Sequence, residues 1–166
     1  MIAFTPESLE KGIELFNKHQ YNEAQEVFEA YLSEHPKNTT AMEYLGDIAF
    51  QNKKWSLAAS YFKPLLTDDV TNARYHFKYA GAIGMKAKNN KLSAVFLIDD
   101  IKKHFIKAAT LDTSYEEPRI ALVQLFMELP STFGGSVTKA TKYAKELLVL
   151  NAIEGEKAMA YIRKNK

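Results

Sequence analysis

The sequence predicts an all-α fold made of stacked helical hairpins. Three observations predict it. Apolar residues recur at helical spacing through most of the chain. No stretch shows apolar–polar alternation bounded by hairpin turn signals. The chain also resembles itself at an offset of 34 residues. Its length, 166 residues, suits one domain, residues 1–166, with a core of its own.

The first helix is predicted over Leu9 to Phe16, where Leu9, Ile13 and Phe16 fall at i, i+4 and i+7. The second is predicted over Ala24 to Leu32, where Ala24, Val27, Phe28, Tyr31 and Leu32 share one face. Stop signals follow at His35-Pro36 and Lys37-Asn38. Shifting the chain by 34 residues places Gly12 on Gly46, Ala24 on Ala58, Phe28 on Phe62 and Leu32 on Leu66. Tyr21 falls on Trp55, and Phe16 on Phe50. Glycine at 12 and 46 suits a close crossing of two helices, with Ala24 and Ala58 playing that part from the second helix. Phe28 and Phe62 suit the groove between adjacent hairpins. Each hairpin leaves one face uncovered, so stacking completes the core.

These residues resemble the tetratricopeptide repeat, a helix–turn–helix unit of 34 residues. The family has a small residue at position 8, Ala at 20, a large residue at 24 and Pro at 32. Repeat one, about residues 5–38, matches with Gly12, Ala24, Phe28 and Pro36. Repeat two, about 39–72, matches with Gly46, Ala58 and Phe62, but has Val70 where the family has Pro. Pro64 is expected to kink or end its second helix. The resemblance implies a right-handed α-solenoid of about four repeats plus a capping helix.

Repeat three, about 73–114, opens with Tyr75, Tyr79, Ala80 and Ile83. Its second helix is displaced by about nine residues, because Phe105 and Ala108 take positions 24 and 27. Lys86 to Lys91 reads as a polar break, and Leu92 to Leu111 as one long helix. Repeat four, about 115–151, starts with Glu116, Glu117 and Pro118, residues that suit a helix N-terminus. Its first helix carries Leu122, Leu125 and Phe126. Leu129 to Ser136 is a second insertion, and Val137 to Leu150 the next helix. Ala144 there is small where the family prefers bulk. A cap, within 152–166, is predicted over about Ile153 to Lys164.

No constellation points to an enzyme, cofactor or metal. The chain has no Cys, which excludes thiol catalysis and Cys-ligated metals. His19, His35, His76 and His104 form no i, i+4 pair, and H-E-x-x-H is absent. Asp68-Asp69 and Asp99-Asp100 lack calcium-loop spacing and read as helix-end or solvated charge. Gly134-Gly135-Ser136 lacks the P-loop pattern. It reads as a long inter-helix turn with Ser136 as N-cap, or as an anion-binding turn. Lys139, Lys142 and Lys145 lie at i, i+3, i+6 and read as a solvated face or a patch for an acidic protein or nucleic acid. Gly81 and Gly84 in a helix interior read as close helix packing, or as room for a partner.

The resemblance implies a non-enzymatic module that binds a protein or peptide on the inner surface lined by first helices. The family's contact positions fall on Pro6, Leu9, Ile13 and Phe16, on Thr40, Glu43, Asp47 and Phe50, and on Arg74, Phe77, Gly81 and Gly84. Leu9, Ile13, Phe16, Phe50 and Phe77 would supply apolar contact, and Glu43, Asp47 and Arg74 polar register. Two alternatives stand beside this: weak homo-oligomer formation through an apolar face near Leu92 to Ile98, and a small-molecule or lipid-like ligand in the groove.

A formal charge of +2 argues against nucleic acid as partner, and no apolar run is long enough for membrane insertion. That average hides a split. Residues 1–50 hold nine acids and three bases, whereas the remainder is basic. The N-terminus lacks a signal-peptide pattern. The expectation is therefore a cytoplasmic chain, or a periplasmic one if a cleaved leader preceded it. Relatives that clamp chaperone tails use Lys and Asn at positions 5 and 9 of the first repeat, where this chain has Leu9 and Ile13. A C-terminal Glu-Glu-Val-Asp peptide is therefore expected not to bind. Titration calorimetry checks this, and micromolar affinity would contradict it.

Overall fold

The computed structural model describes residues 6–89 and 91–165, with side chains for 8–89 and 94–165. Thr5, and the side chains of Pro6 and Leu92, lie outside the described residues. Among those described there is no strand, and helices follow one another throughout. The contacts group into two compact units that divide between Val70 and Thr71.

The first unit holds α1 (Pro6–Asn17), α2 (Tyr21–Glu34), α3 (Thr39–Gln51) and α4 (Trp55–Asp68). It packs as two hairpins, with α2 also meeting α3. The 34-residue identity extends to the backbone. His19 and Lys53 take positive φ angles of 59° and 58° at equivalent turn positions. The Gln20 N–H donates to Leu15 O, and the Lys54 N–H to Ala49 O, across equivalent turns. Asn38, read from the sequence as part of a stop, also starts α3, where its side chain accepts from the Ala41 N–H at 2.8 Å.

Glycine at position 8 is sterically required in both hairpins. A Cβ on Gly12 would lie 2.6 Å from Phe28 Cε1, and one on Gly46 would collide with Phe62. Phe28 and Phe62 are fully buried. The Phe28 ring also stacks on Tyr44 of the next hairpin, with centroids 5.0 Å apart and an 8° interplanar angle. Phe28 therefore seals its own hairpin and joins it to the next. Pro64 does not end α4, which continues to Asp68. The proline deprives Ser60 O of its helical donor, but both residues are exposed, so water can replace it.

The second unit holds α5 (Ala73–Asn89), α6 (Lys91–Leu111), α7 (Glu116–Glu128), a short 3-10 turn (Ser131–Phe133), α8 (Val137–Leu150) and α9 (Ala152–Lys164). The expected polar break at Lys86 to Lys91 is mostly helix, since α5 runs on to Asn89. Lys86 and Lys88 are tolerated there because cations favour a helix C-terminus. The extra residues of repeat three therefore lengthen both arms of one hairpin. Ser136 caps α8 by accepting from the Lys139 N–H, and Asn151 caps α9 by accepting from the N–H groups of Ile153 and Glu154.

Gly84 differs from Gly12 and Gly46. A Cβ there would meet nothing within 4 Å, so close helix packing does not explain it. Gly84→Ala is expected to stabilise the chain by about 0.5–1 kcal/mol through helix propensity alone. Gly12→Ala and Gly46→Ala should each destabilise by about 1–3 kcal/mol through overpacking against a buried ring. Urea denaturation of the three variants checks the difference in sign.

Candidate functional site

The predicted contact positions fall on rows of one kind. On α1, Leu9, Ile13 and Phe16 are all half-buried; on α3, Glu43, Asp47 and Phe50 are; on α5, Phe77, Gly81 and Gly84 are. Each row runs i, i+4, i+7 along a first helix. On α3 the neighbouring residues Ala41, Leu45, Ile48 and Ala49 are core. The row is thus the margin of the buried stripe.

These side chains also carry packing. Leu9, Ile13 and Phe16 press on the core cluster of Ala24, Phe28, Ala41, Leu45 and Ile48. The Phe16 ring meets Tyr21 and Tyr44 edge-on at 5.3 and 4.9 Å. Phe50 meets Trp55 edge-on at 4.9 Å. The rows of α1 and α3 belong to the first unit. Arg74 and Phe77 belong to the second. Arg74 is exposed at the start of α5, where its N–H donates to Asn72 Oδ1 at 3.1 Å. Phe77 packs near Phe105 and Tyr115 at 5.8 and 5.3 Å.

The structure also assembles two polar groups that sequence spacing did not reveal. His76 on α5 and His104 on α6 are 3% and 9% exposed, and their Nδ1 atoms lie 2.6 Å apart. One ring must donate an Nδ1–H and the other accept it. Tyr79 packs edge-on against His104 at 5.0 Å. Burial, reinforced by His76, pushes the His104 imidazole down to about 4. The pair escaped notice because the inserted residues, not a helical repeat, set its separation in sequence. Among the described residues no cluster of three or more His, Cys, Asp or Glu could hold a metal.

Arg119, 5% exposed, is the second group. Its guanidinium donates to Ala109 O at 2.9 Å, Tyr115 O at 2.7 Å and Glu146 Oε2 at 3.0 Å. It therefore satisfies the C-terminal end of α6, the connection to α7, and a carboxylate of α8. In the sequence it is an Arg directly after Glu116, Glu117 and Pro118, with no spacing that marks its distant partners.

The glycine turn is a structural connector. The N–H groups of Gly134, Gly135 and Ser136 donate to Ser131 O, Pro130 O and Phe126 O. These turn amides are therefore engaged internally, and at the start of α8 the Lys139 N–H is held by Ser136 Oγ. A Cβ on Gly135 would collide with Leu129 O, and Lys102 Nζ reaches Phe133 O at 3.3 Å. The expected apolar face near Leu92 to Ile98 is divided: Ile98 is buried, whereas Val95 is exposed and Phe96 is 86% exposed.

Residues 9–81 match the family model described as tetratricopeptide repeat. Residues 9–81 therefore carry tetratricopeptide repeats, and the whole chain shares the fold of solved tetratricopeptide-repeat proteins. Solved structures of similar fold include MamA from Desulfovibrio magneticus, with TM-score 0.74 and 18% identity, covering 90% of this chain and 77% of that one. A thermophilic TPR protein of Thermus thermophilus has TM-score 0.70 and 17% identity, covering 95% and 80%. A tetratricopeptide repeat protein from Parabacteroides merdae has TM-score 0.77 and 15% identity, covering 96% and 59%. No sequence among curated proteins matches. Tetratricopeptide folds serve in general as protein-interaction scaffolds. No described helix is long and apolar enough to cross a membrane.

The histidine pair makes stability pH-dependent with a definite sign. The imidazole of His104 titrates near 4 when folded and near 6.5 when unfolded. Its contribution is therefore full above about pH 6.5 and is lost as pH falls toward 4. The loss should be on the order of 2 kcal/mol between pH 7 and 4.5. Urea titrations across that range should show it, and the double variant His76→Phe, His104→Phe should lose most of the dependence.

Proposed function

We propose that the chain is a non-enzymatic module that binds an extended or helical segment of a partner protein along its first-helix rows. Leu9, Ile13, Phe16, Phe50 and Phe77 supply apolar contact, while Glu43, Asp47 and Arg74 set register by charge and hydrogen bonding. The observation that carries this reading is the shared phase of the rows. In α1, α3 and α5 the same three repeat positions remain half-exposed beside a buried stripe. A partner laid on such rows gains apolar burial and polar contacts without unpacking the hairpins.

Gly84 supplies a test that avoids the core. A Cβ placed there meets nothing within 4 Å, so a side chain starts from open space and the helix gains propensity over glycine. Gly84→Trp should keep or raise the melting temperature while obstructing the α5 row. Crosslinked affinity capture from the source organism should then recover the partner with the wild type and lose it with Gly84→Trp. Lys63→Ala, on the exposed side of α4, should leave capture unchanged. Equal recovery by the wild type and Gly84→Trp would remove the α5 row from the binding surface.

A further inference from the structure

The second helices of repeats one and four carry exposed charge rows of opposite sign at the same repeat positions. On α2 the row is Glu23, Glu26 and Glu29; on α8 it is Lys139, Lys142 and Lys145. Each precedes, by one residue at its start, the small buried residue of its helix, Ala24 in one and Ala140 in the other. All six side chains are exposed. Both rows therefore follow the same i, i+3, i+6 line on equivalent helices.

Local partners do not neutralise them. Among the described residues, Glu23, Glu26, Glu29, Lys139 and Lys145 form no ion pair, and Lys142 approaches Glu146 only at 3.9 Å. That Glu146 is already held by Arg119 at 3.0 Å. Lys139 and Lys142 otherwise lie over the Phe126 and Tyr143 rings, at 5.4 and 5.3 Å. The α8 face is not purely charged. Val137 and Val149 lie on the same open face as Lys142 and Lys145, and Val149 is 87% exposed. A charge row bordered by uncovered valine offers an approaching molecule both attraction and apolar burial.

We infer that this face docks a second copy of the chain, with the basic row of α8 in one molecule set against the acidic row of α2 in another. The chain itself presents the complementary surface, of matching length and spacing, on the equivalent helix. Two different surfaces meet, so the contact is heterologous. It closes as a reciprocal pair or a ring, or else propagates.

Sedimentation velocity on the full chain tests this at two ionic strengths, about 20 mM and about 500 mM NaCl, because exposed charge contacts weaken with screening. The expected result is association at low salt, weakened at least about tenfold at high salt. Lys139→Glu with Lys142→Glu and Lys145→Glu should be monomeric, as should Glu23→Lys with Glu26→Lys and Glu29→Lys. Mixing the two triple variants should restore a complex, since the new acidic α8 meets the new basic α2.

Carbodiimide crosslinking of a mixed-isotope wild-type sample gives a readout that needs no variant. Links between α2 glutamates and α8 lysines should join heavy and light chains. Three outcomes would each overturn the inference. They are a wild type that stays monomeric at both salts, crosslinks that stay within one chain, and association that survives charge reversal but is lost in Phe96→Ser.

Discussion

The close approach of a glycine to a phenylalanine ring holds each of the first two hairpins together. Gly12 faces Phe28, and Gly46 faces Phe62, at separations that leave no space for a methyl group. The glycines carry a helix-propensity cost of roughly 1 kcal/mol each. Burial of a whole aromatic ring exceeds that cost, since such a side chain contributes roughly 1.5–3 kcal/mol. Because Phe28 also stacks on Tyr44, one ring fixes both the angle within a hairpin and the seating of the next. The positive-φ turn residues and the half-exposed rows follow from that geometry.

Later repeats keep the architecture with other side chains. Repeat three retains the size order, with Ala80 small and Phe105 large, both buried. Its longer hairpin then places His76 against His104, a polar contact in a place where the first repeats use Ser8 and Val27, or Met42 and Tyr61. Repeat four reverses the order, with bulky Leu122 at the glycine position and Ala144 at the phenylalanine position, both fully buried. Volume is conserved by exchange, which cores tolerate better than a net change. Arg119 then ties the connection between repeats, donating to the carbonyls of Tyr115 and Ala109.

Much of this was legible because repetition multiplies weak signals. The pairs Gly12–Gly46, Ala24–Ala58 and Phe28–Phe62 disclose a hairpin that no single pair would. Val137 to Leu150 reads as a helix in the sequence, with Ser136 as its N-cap, and α8 has those bounds. The reading faltered where a residue's role depends on a distant partner. Pro64 looks like a helix end, yet its face is solvated and α4 continues. Lys86 to Lys91 looks like a break, yet dipole-compatible lysines extend α5. Gly84, four residues past the position that Gly12 holds in its repeat, reads as close packing or as room for a partner, and the open space at its Cβ rules out the first. The histidine pair and the arginine staple are tertiary contacts across 28 and 27 residues, with no local spacing to betray them. Of the candidate site, the half-exposed spacing of the rows was legible, but the core packing that the same side chains carry, a double duty if they bind as proposed, was not.

That double duty constrains how the first-helix rows could act as a binding surface. Phe16 and Phe50 are held by edge-on aromatic contacts to Tyr21, Tyr44 and Trp55, so their rotamers are fixed before any partner arrives. The ordering cost of those side chains falls on folding, so a partner of the proposed kind would meet a preorganised surface. The same contacts make these rings poor targets for truncation, because removing one takes away core packing together with any binding contact. Open glycine is different: a Cβ at Gly84 meets nothing within 4 Å, beside the packed stripe. Changes at Gly84 can therefore separate recognition from stability, a separation that the aromatic rows do not permit.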